Sequence, residues 1–472
     1  MMKKITQVSL LLILLSVFIT FGACNGVESE NLEFNEEKDV EIDLMGRDFV
    51  ILQAADPQTD PLGLKMDTML ADEALKRIEE VGNVYNCNII LDYVGGDPVY
   101  QQTLMNTLAS MDNLYDITYG GSWITRAIGN AGGLVPMDDV EHIINFRDSE
   151  KWGTLNAQEM IMCKGVLYGV IPNLWINVRP LADYLIVFNN ELLKSFNAPD
   201  LREMLEQKQW TREALENILI TCTDPARSTP VYGMAASKLH ILRSSLLSNK
   251  CNFINENSDG TIYCGYDSEA AIEAIAYAQK LVKEYKDYLH NKGNDLAAGN
   301  WGFTAPFNNN EATLLLTSFW NITGTIQYEL KDFGLLPWPV GPYGEYGEWP
   351  AYYEDATVIT IPVFAYDYEE SAYITDALFK GLDSYPDIDS IKNYYTDQLF
   401  HDPRDAELFV SLGKNAQYSY WIDGGDNMLY NIVNSLTSKT PIELIETSIN
   451  SIQKCIEEQI MPNYESMEKY MH

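Results

Sequence analysis

Between Asp48 and Gly121 the chain switches repeatedly between continuous apolar runs and a helical apolar period. "DFVILQAAD" opens with an uninterrupted apolar run bounded by polar residues, the pattern of a strand buried on both faces. "DTMLADEALKRIEEVGNVYNC" follows, with Leu70, Ala74, Ile78 and Val81 spaced three or four apart, which predicts a helix. "NIILDYV" is a second apolar run and reads as another buried strand. "YQQTLMNTLASM" sets Leu104 and Leu108 on one helical face, and "LYDITYG" is a third strand. This β-α-β-α-β alternation predicts an α/β fold with a mostly parallel sheet flanked by helices. Sheets of that kind hold ligands beyond the carboxyl ends of their strands. Far downstream, "TPIELIETSINSIQKCIEEQIM" spaces Ile442, Leu444, Ile445, Ile449, Ile452 and Ile456 as a closing amphipathic helix.

The amino-terminal pattern is different. Lys3 and Lys4 precede the apolar run "VSLLLILLSVFITF", Val8 to Phe21, which falls short of the roughly 20 residues that span a bilayer. A short apolar core behind a basic start, ending in small residues, reads as a secretory signal. Gly22, Ala23 and Cys24 resemble a bacterial lipobox, with Phe21 where leucine is usual. That resemblance implies a signal peptide over 1–23, lipidation of Cys24, and attachment to the outer face of the cell membrane. Residues 24–45 are acid-rich without apolar periodicity and read as a flexible linker. Removing 1–23 removes two lysines and no acids, so the formal charge moves from −36 to −38. Nucleic acid is excluded as a partner by that balance, since such binding needs a basic face.

Catalytic signatures are missing. The sequence has no G-x-S-x-G, H-E-x-x-H, P-loop or G-x-G-x-x-G motif, and its five histidines lie far apart. Once Cys24 is set aside, the cysteines are Cys87, Cys163, Cys222, Cys251, Cys264 and Cys455, with no C-x-x-C pair to suggest zinc or redox chemistry. Cys251 and Cys264 flank "NFINENSDGTIY", two short strands around a turn, and the sequence leaves their pairing open. That turn starts like a calcium loop, but Tyr266 stands where the bidentate glutamate is required, and an Asp-Gly hairpin turn explains it better. No metal, cofactor or catalytic residue is therefore expected. Aromatic residues are plentiful: 16 Phe, 29 Tyr and 9 Trp. Flat rings suit the apolar face of a sugar, with amides and carboxylates meeting its hydroxyl rim. Trp152, Trp210 and Trp338 read as core.

A set of landmarks in fixed order carries a resemblance across most of the chain. These are "GLVPMD" (Gly133 to Asp138), "KGVLYGVIP" (Lys164 to Pro172), "DYLIVFNNELLKSF", "QWTREALENIL", "FNNNEATLLLTSFWN" and "DFGLLPWPVGP". Together they resemble the extracellular solute-binding proteins of ABC transporters, in the group of maltose-binding protein, from about Arg47 to about Ile456. Phe188 replaces a usual tyrosine, and the glycines of the "FNNNEATLLLTSFWN" segment are absent. The resemblance implies a two-lobed periplasmic-binding-protein-like fold with a multi-strand hinge. Lobe one would be 46–168 plus 357–402, and lobe two 169–356 plus 403–472. It implies a monomeric, non-enzymatic receptor that captures a carbohydrate, expected to be an oligosaccharide, and delivers it to ABC permease subunits.

Ligand contacts implied by the resemblance fall on residues from both lobes. In lobe one they are Asp56 after the first strand, then Tyr119, Trp123 and Arg126 after the third. Trp175 and Asn177 come just past the first crossing. Lobe two would supply Trp320 and Asn321, then Tyr352, Tyr353 and Glu354 near the second crossing, then Tyr420, Trp421 and Asp423. Rival readings are a surface glycan-degrading enzyme and a glycan-docking lipoprotein built of helical repeats.

Overall fold

The computed structural model describes residues 42–176, 182–256, 262–290, 304–349, 351–353, 355–418 and 425–463. Eight strands form two four-stranded sheets: β1 (Asp48–Gln53), β2 (Asn88–Asp92), β3 (Ile117–Gly121), β4 (Leu185–Asn189), β5 (Tyr232–Ala235), β6 (Ala312–Thr317), β7 (Phe333–Leu336) and β8 (Thr357–Thr360). The first sheet has the order β8-β3-β1-β2 and the second β7-β4-β6-β5. Helices α1 (Met69–Val84), α2 (Asp97–Ser110) and α3 (Ser122–Asn130) connect or follow the strands of the first sheet. Thr68 starts α1 by accepting from Ala71 N at 3.3 Å, where an orphan donor of the first turn needs a partner. The apolar face of α2 and α3 covers the first sheet through Tyr100, Leu104, Ile124 and Ile128, packed with Leu52 and Leu134. Around the second sheet lie α4 (Arg212–Thr221), α5 (Lys238–Leu247) and α6 (Glu269–Glu284). Next comes α7 (Phe319–Asn321), which continues helically through Gln327–Glu329.

The alternation read from the sequence is present, and the fold is α/β with two lobes. One expectation needs correction, and the mostly parallel character expected of each sheet takes a particular form. The strand in "NIILDYV" is not fully buried: β2 pairs only with β1, and as an edge strand it keeps Ile89, Ile90 and Leu91 half-buried. The second sheet is mixed: β4 runs antiparallel to both β6 and β7, and only β6 and β5 pair in parallel. One strand is reversed in each sheet, since β8 alone runs antiparallel in the first. Both reversed strands start at the carboxyl ends of their neighbours. Thr357 faces Gly121, the last residue of β3, and Leu185 faces Thr317, the last residue of β6. A chain that enters a sheet at its cleft edge must run away from that edge, opposite to the strands ending there.

Close approach of backbones marks the region where the chain passes between sheets. Val170 bridges Ile359, and a Cβ on Gly169 would lie 2.6 Å from the Ile359 carbonyl. Asp183 bridges Tyr352, and Tyr352–Tyr353 pairs in parallel with Gln417–Tyr418. Later helices divide between the lobes: α8 (Tyr368–Leu378) packs on α1, whereas α9 (Pro403–Asn415) packs on β7. Helices α10 (Gly425–Ser435) and α11 (Pro441–Cys455) pack on α5 and α6. The closing helix buries Leu444, Ile445 and Ile452 as expected, but Ile442, in its first turn, points to solvent. Trp152, Trp210 and Trp338 are core residues, as read. Ile254–Glu256 and Ile262–Cys264 form the expected antiparallel pair, while the turn between them lies outside the described residues. The six described cysteines form no disulfide, so Cys251 and Cys264 are separate thiols here.

Candidate functional site

The carboxyl ends of the two sheets carry the same local construction. In the first, β3 ends at Gly121 and α3 begins at Ser122, which puts Trp123 at the second helical position. In the second, β6 ends at Thr317, Ser318 follows, and α7 begins at Phe319, which puts Trp320 at the second helical position. Each helix start is held by an aspartate two residues ahead of the reversed strand. Asp355 Oδ1 accepts from Ser122 N at 3.0 Å, from Ala356 N at 2.8 Å, and from the Ser122 hydroxyl. Asp183 Oδ1 accepts from Phe319 N at 2.9 Å. First-turn N–H groups have no partner within the helix, and a carboxylate there also meets the positive end of the helix dipole.

Exposure separates the aromatic candidates. Trp320 is 51% exposed, so a large apolar face is open at the rim of lobe two. Trp123 is half-buried, resting against the first-sheet core, with its ring edge at Gly121. A Cβ on Gly121 would sit 3.1 Å from both the Trp123 ring and Asp355 Oδ2, so glycine there lets ring and carboxylate pack together. Asp56 lies on the loop after β1, where its Oδ1 accepts from Gln58 N at 2.9 Å. Gln53 shapes that loop: its Oε1 accepts from Leu62 N at 3.1 Å and its Nε2 donates to Asp60 O at 3.2 Å.

Several residues read as ligand contacts are buried and have partners of their own. Tyr119 is buried on β3, stacked on Phe379, with its hydroxyl donating to Leu62 O at 2.7 Å. Its ring supports the Asp56 loop from below. Trp175 is fully buried and tilted against Phe379, and its Nε1 donates to Lys380 O at 3.1 Å. Asn321 is buried and donates to Thr317 Oγ1 at 2.8 Å, which ties the start of α7 back to β6. Tyr352 is buried edge-on to Tyr184 and hydrogen-bonds with Tyr266; burial pushes its phenol up to about 12. Arg126 is buried in α3, where its carbonyl accepts from Cys163 Sγ at 3.4 Å. A side chain that joins an apolar body to a polar end fills a core as readily as a cleft. Cys24, Asn177, Glu354, Tyr420, Trp421 and Asp423 lie outside the described residues, as does the side chain of Tyr353.

Asp183 and Asp355 were not among the residues read from the sequence. The signal was present as Asp-x ahead of an apolar run, "DYLIVFN" and "DATVITI", but it counts only once the partner helix is known. Among the described residues no cluster of His, Cys, Asp and Glu could hold a metal ion, and no helix is long and apolar enough to cross a membrane.

No protein-family profile and no curated protein matches the sequence. Solved structures do match its shape. An ABC substrate-binding protein of Listeria monocytogenes, in complex with cycloalternan, superposes with a TM-score of 0.60 at 14% identity, over 87% of this chain and 99% of that one. The GacH receptor of Streptomyces glaucescens, solved unliganded and with acarbose, gives a TM-score of 0.59 at 12% identity, over 88% and 99%. The chain has the two-lobed fold of ABC-transporter substrate-binding proteins. A cyclo/maltodextrin-binding protein complexed with maltotetraose is also similar, with a TM-score of 0.58 at 13% identity, over 87% of this chain and 97% of that one. In this fold the carboxyl-edge loops that carry Trp123 and Trp320 border the crossings between lobes.

Proposed function

We infer that the protein is a lipid-anchored, extracytoplasmic receptor of an ABC import system. It captures a carbohydrate, an oligosaccharide by preference, between its lobes and passes it unaltered to membrane permease subunits. The observation that carries this reading is Trp320: a large ring, half open to solvent, held at the cleft edge of a sheet. The fold is shared with proteins solved with cycloalternan, acarbose and maltotetraose, and Trp123 offers a second ring on the opposite lobe. Capture signals to a permease only if the solute binds the closed form more tightly than the open one.

Isothermal titration against linear and cyclic glucans tests the reading. Binding without release of shorter products supports it; turnover of the sugar overturns it in favour of a glycan-degrading enzyme. Trp320→Ala is expected to weaken sugar binding by about tenfold or more, because stacking and apolar burial are both lost. An unchanged Kd would remove Trp320 from the site. Cys24→Ser, expressed in a bacterial host, is expected to abolish incorporation of labelled palmitate and to shift the protein from the membrane fraction to the soluble one. Retention of the label would contradict lipidation at that cysteine.

A further inference from the structure

The two tryptophan-bearing helices are tied to the same short piece of chain. The crossing from lobe two to lobe one runs through Tyr352 and Asp355, three residues apart. At Tyr352 its carbonyl accepts from Asp183 N at 2.8 Å, and the Asp183 carboxylate in turn holds Phe319 N, the residue before Trp320. At Asp355 the carboxylate holds Ser122 N and its hydroxyl, the residue before Trp123. Ser122 N also donates to Ala356 O at 3.0 Å, so the start of α3 is bound to the crossing by side chain and main chain together. The spacing is the same on both sides: aspartate, one residue, reversed strand; helix start, then tryptophan.

We propose that Asp183 and Asp355 are paired positioning residues for solute capture, Asp183 fixing the helix start that carries Trp320 and Asp355 the helix start that carries Trp123, each relative to the crossing that joins the lobes. The inference rests on the cleft being the solute site, as argued above. A carboxylate is suited to the task because a charged acceptor at a helix start is stronger and more directional than a neutral one. Its direction is set by the backbone of the reversed strand, so the helix start that carries each tryptophan is referred to the crossing. The two tryptophans are thus carried on helix starts that share one crossing as their reference. Closure then brings pre-set faces together, which lowers the ordering cost of binding.

The test uses the full-length protein labelled with 5-fluorotryptophan, with the Trp123 and Trp320 fluorine signals assigned from Trp123→Phe and Trp320→Phe. Without any sugar, Asp355→Ala is expected to displace the Trp123 signal, and Asp183→Ala the Trp320 signal. Asp355→Asn and Asp183→Asn, which keep a weaker acceptor, should displace the same signals by less. Ile144→Ala, a cavity at a buried lobe-one residue outside the cluster that Trp123 packs against, lowers stability but should leave the Trp123 signal in place, which separates positioning from general loosening. If an alanine variant does not fold, the asparagine variant decides by itself. A signal that stays put in every folded variant of its aspartate overturns the proposal. With a glucan that the parent protein binds, each alanine variant should lose roughly tenfold in affinity and recover most of it as asparagine. Equal affinity in parent and alanine variant also overturns it. Should no glucan bind the parent, the carbohydrate reading fails, while the sugar-free signals still decide the role of the aspartates.

Discussion

Asp402 opens α9 by accepting from Arg404 N at 3.0 Å and from the Arg404 guanidinium at 2.9 and 2.7 Å. The Arg404 side-chain bonds, and then the backbone bond, hold its carboxyl down to about 2, below the usual carboxylate value of about 4. A depressed folded-state pKa contributes stability that is present above pH 4 and lost as pH falls through about 2. Asp402→Asn is therefore expected to flatten the fall of the urea midpoint between about pH 4 and pH 2 while changing it least in slope near neutrality. Equal slopes in parent and variant across that window would contradict the assignment. Gly120 is a residue-scale constraint of another kind. A Cβ there would lie 2.8 Å from the Tyr100 hydroxyl and 2.9 Å from its ring, so Tyr100 can pack beneath the end of β3 only because the position is glycine. Sequence reading recognised that Trp152, Trp210 and Trp338 belong to the core, but it assigned Tyr119, Trp175 and Tyr352 to the cleft. All six are buried rings, and a ring that leaves water for a core writes the same sequence pattern as one that leaves it for a cleft.

Among the elements, α9 shows how a late segment is locked to a distant sheet. Arg202 donates to Asp405 at 2.7 Å and to Phe333 O at 3.1 Å, while Leu335 N donates to Asp405 Oδ1 at 3.1 Å. Arg202 and Asp405 are both buried, and their charges are satisfied by each other and by the main chain of β7. Arg202→Met leaves a buried carboxylate without its cation and is expected to cost about 3–5 kcal/mol in urea unfolding. The double variant Arg202→Met with Asp405→Leu should recover part of that loss, since no buried charge is then left unpaired while Leu335 N and Phe333 O still lose their side-chain partners. A double variant no more stable than the single would contradict this account. The direction of β4 belongs to the same scale. Its five residues are uniformly buried, and nothing in "LIVFN" distinguishes a parallel from an antiparallel central strand. Its direction follows from entering the sheet at the edge where β6 and β7 end.

For the whole molecule, one crossing packs tightly against the first sheet. Gly169 lies against β8, where a Cβ would be 2.6 Å from the Ile359 carbonyl and 2.7 Å from a Val358 methyl. Gly169→Ala must push the crossing away from β8, and we expect a loss of about 1–3 kcal/mol in urea unfolding. A changed radius of gyration by small-angle scattering should accompany it, because that crossing sits between the sheets. Identical stability and scattering would show that the contact yields without moving the lobes. Net charge acts at this scale too. An excess of 68 acids over 32 basic side chains keeps such a body soluble and off anionic surfaces, and it leaves nucleic acid an unfavourable partner.

The sequence by itself determined the fold class, the β-α-β-α-β order between Asp48 and Gly121, and the closing helix. These are encoded locally, because the period of apolar residues states which faces must leave water. Tertiary structure alone decided that β4 and β8 run against their sheets, that Asn321 and Tyr119 are buried and bonded to Thr317 and Leu62, and that Asp183 and Asp355 hold the two tryptophan-bearing helix starts. Each of those depends on groups more than a hundred residues apart or on which polar partner meets a buried side chain. A one-dimensional pattern records that a residue is buried or polar, but the partner that satisfies it exists only after the chain has folded back on itself.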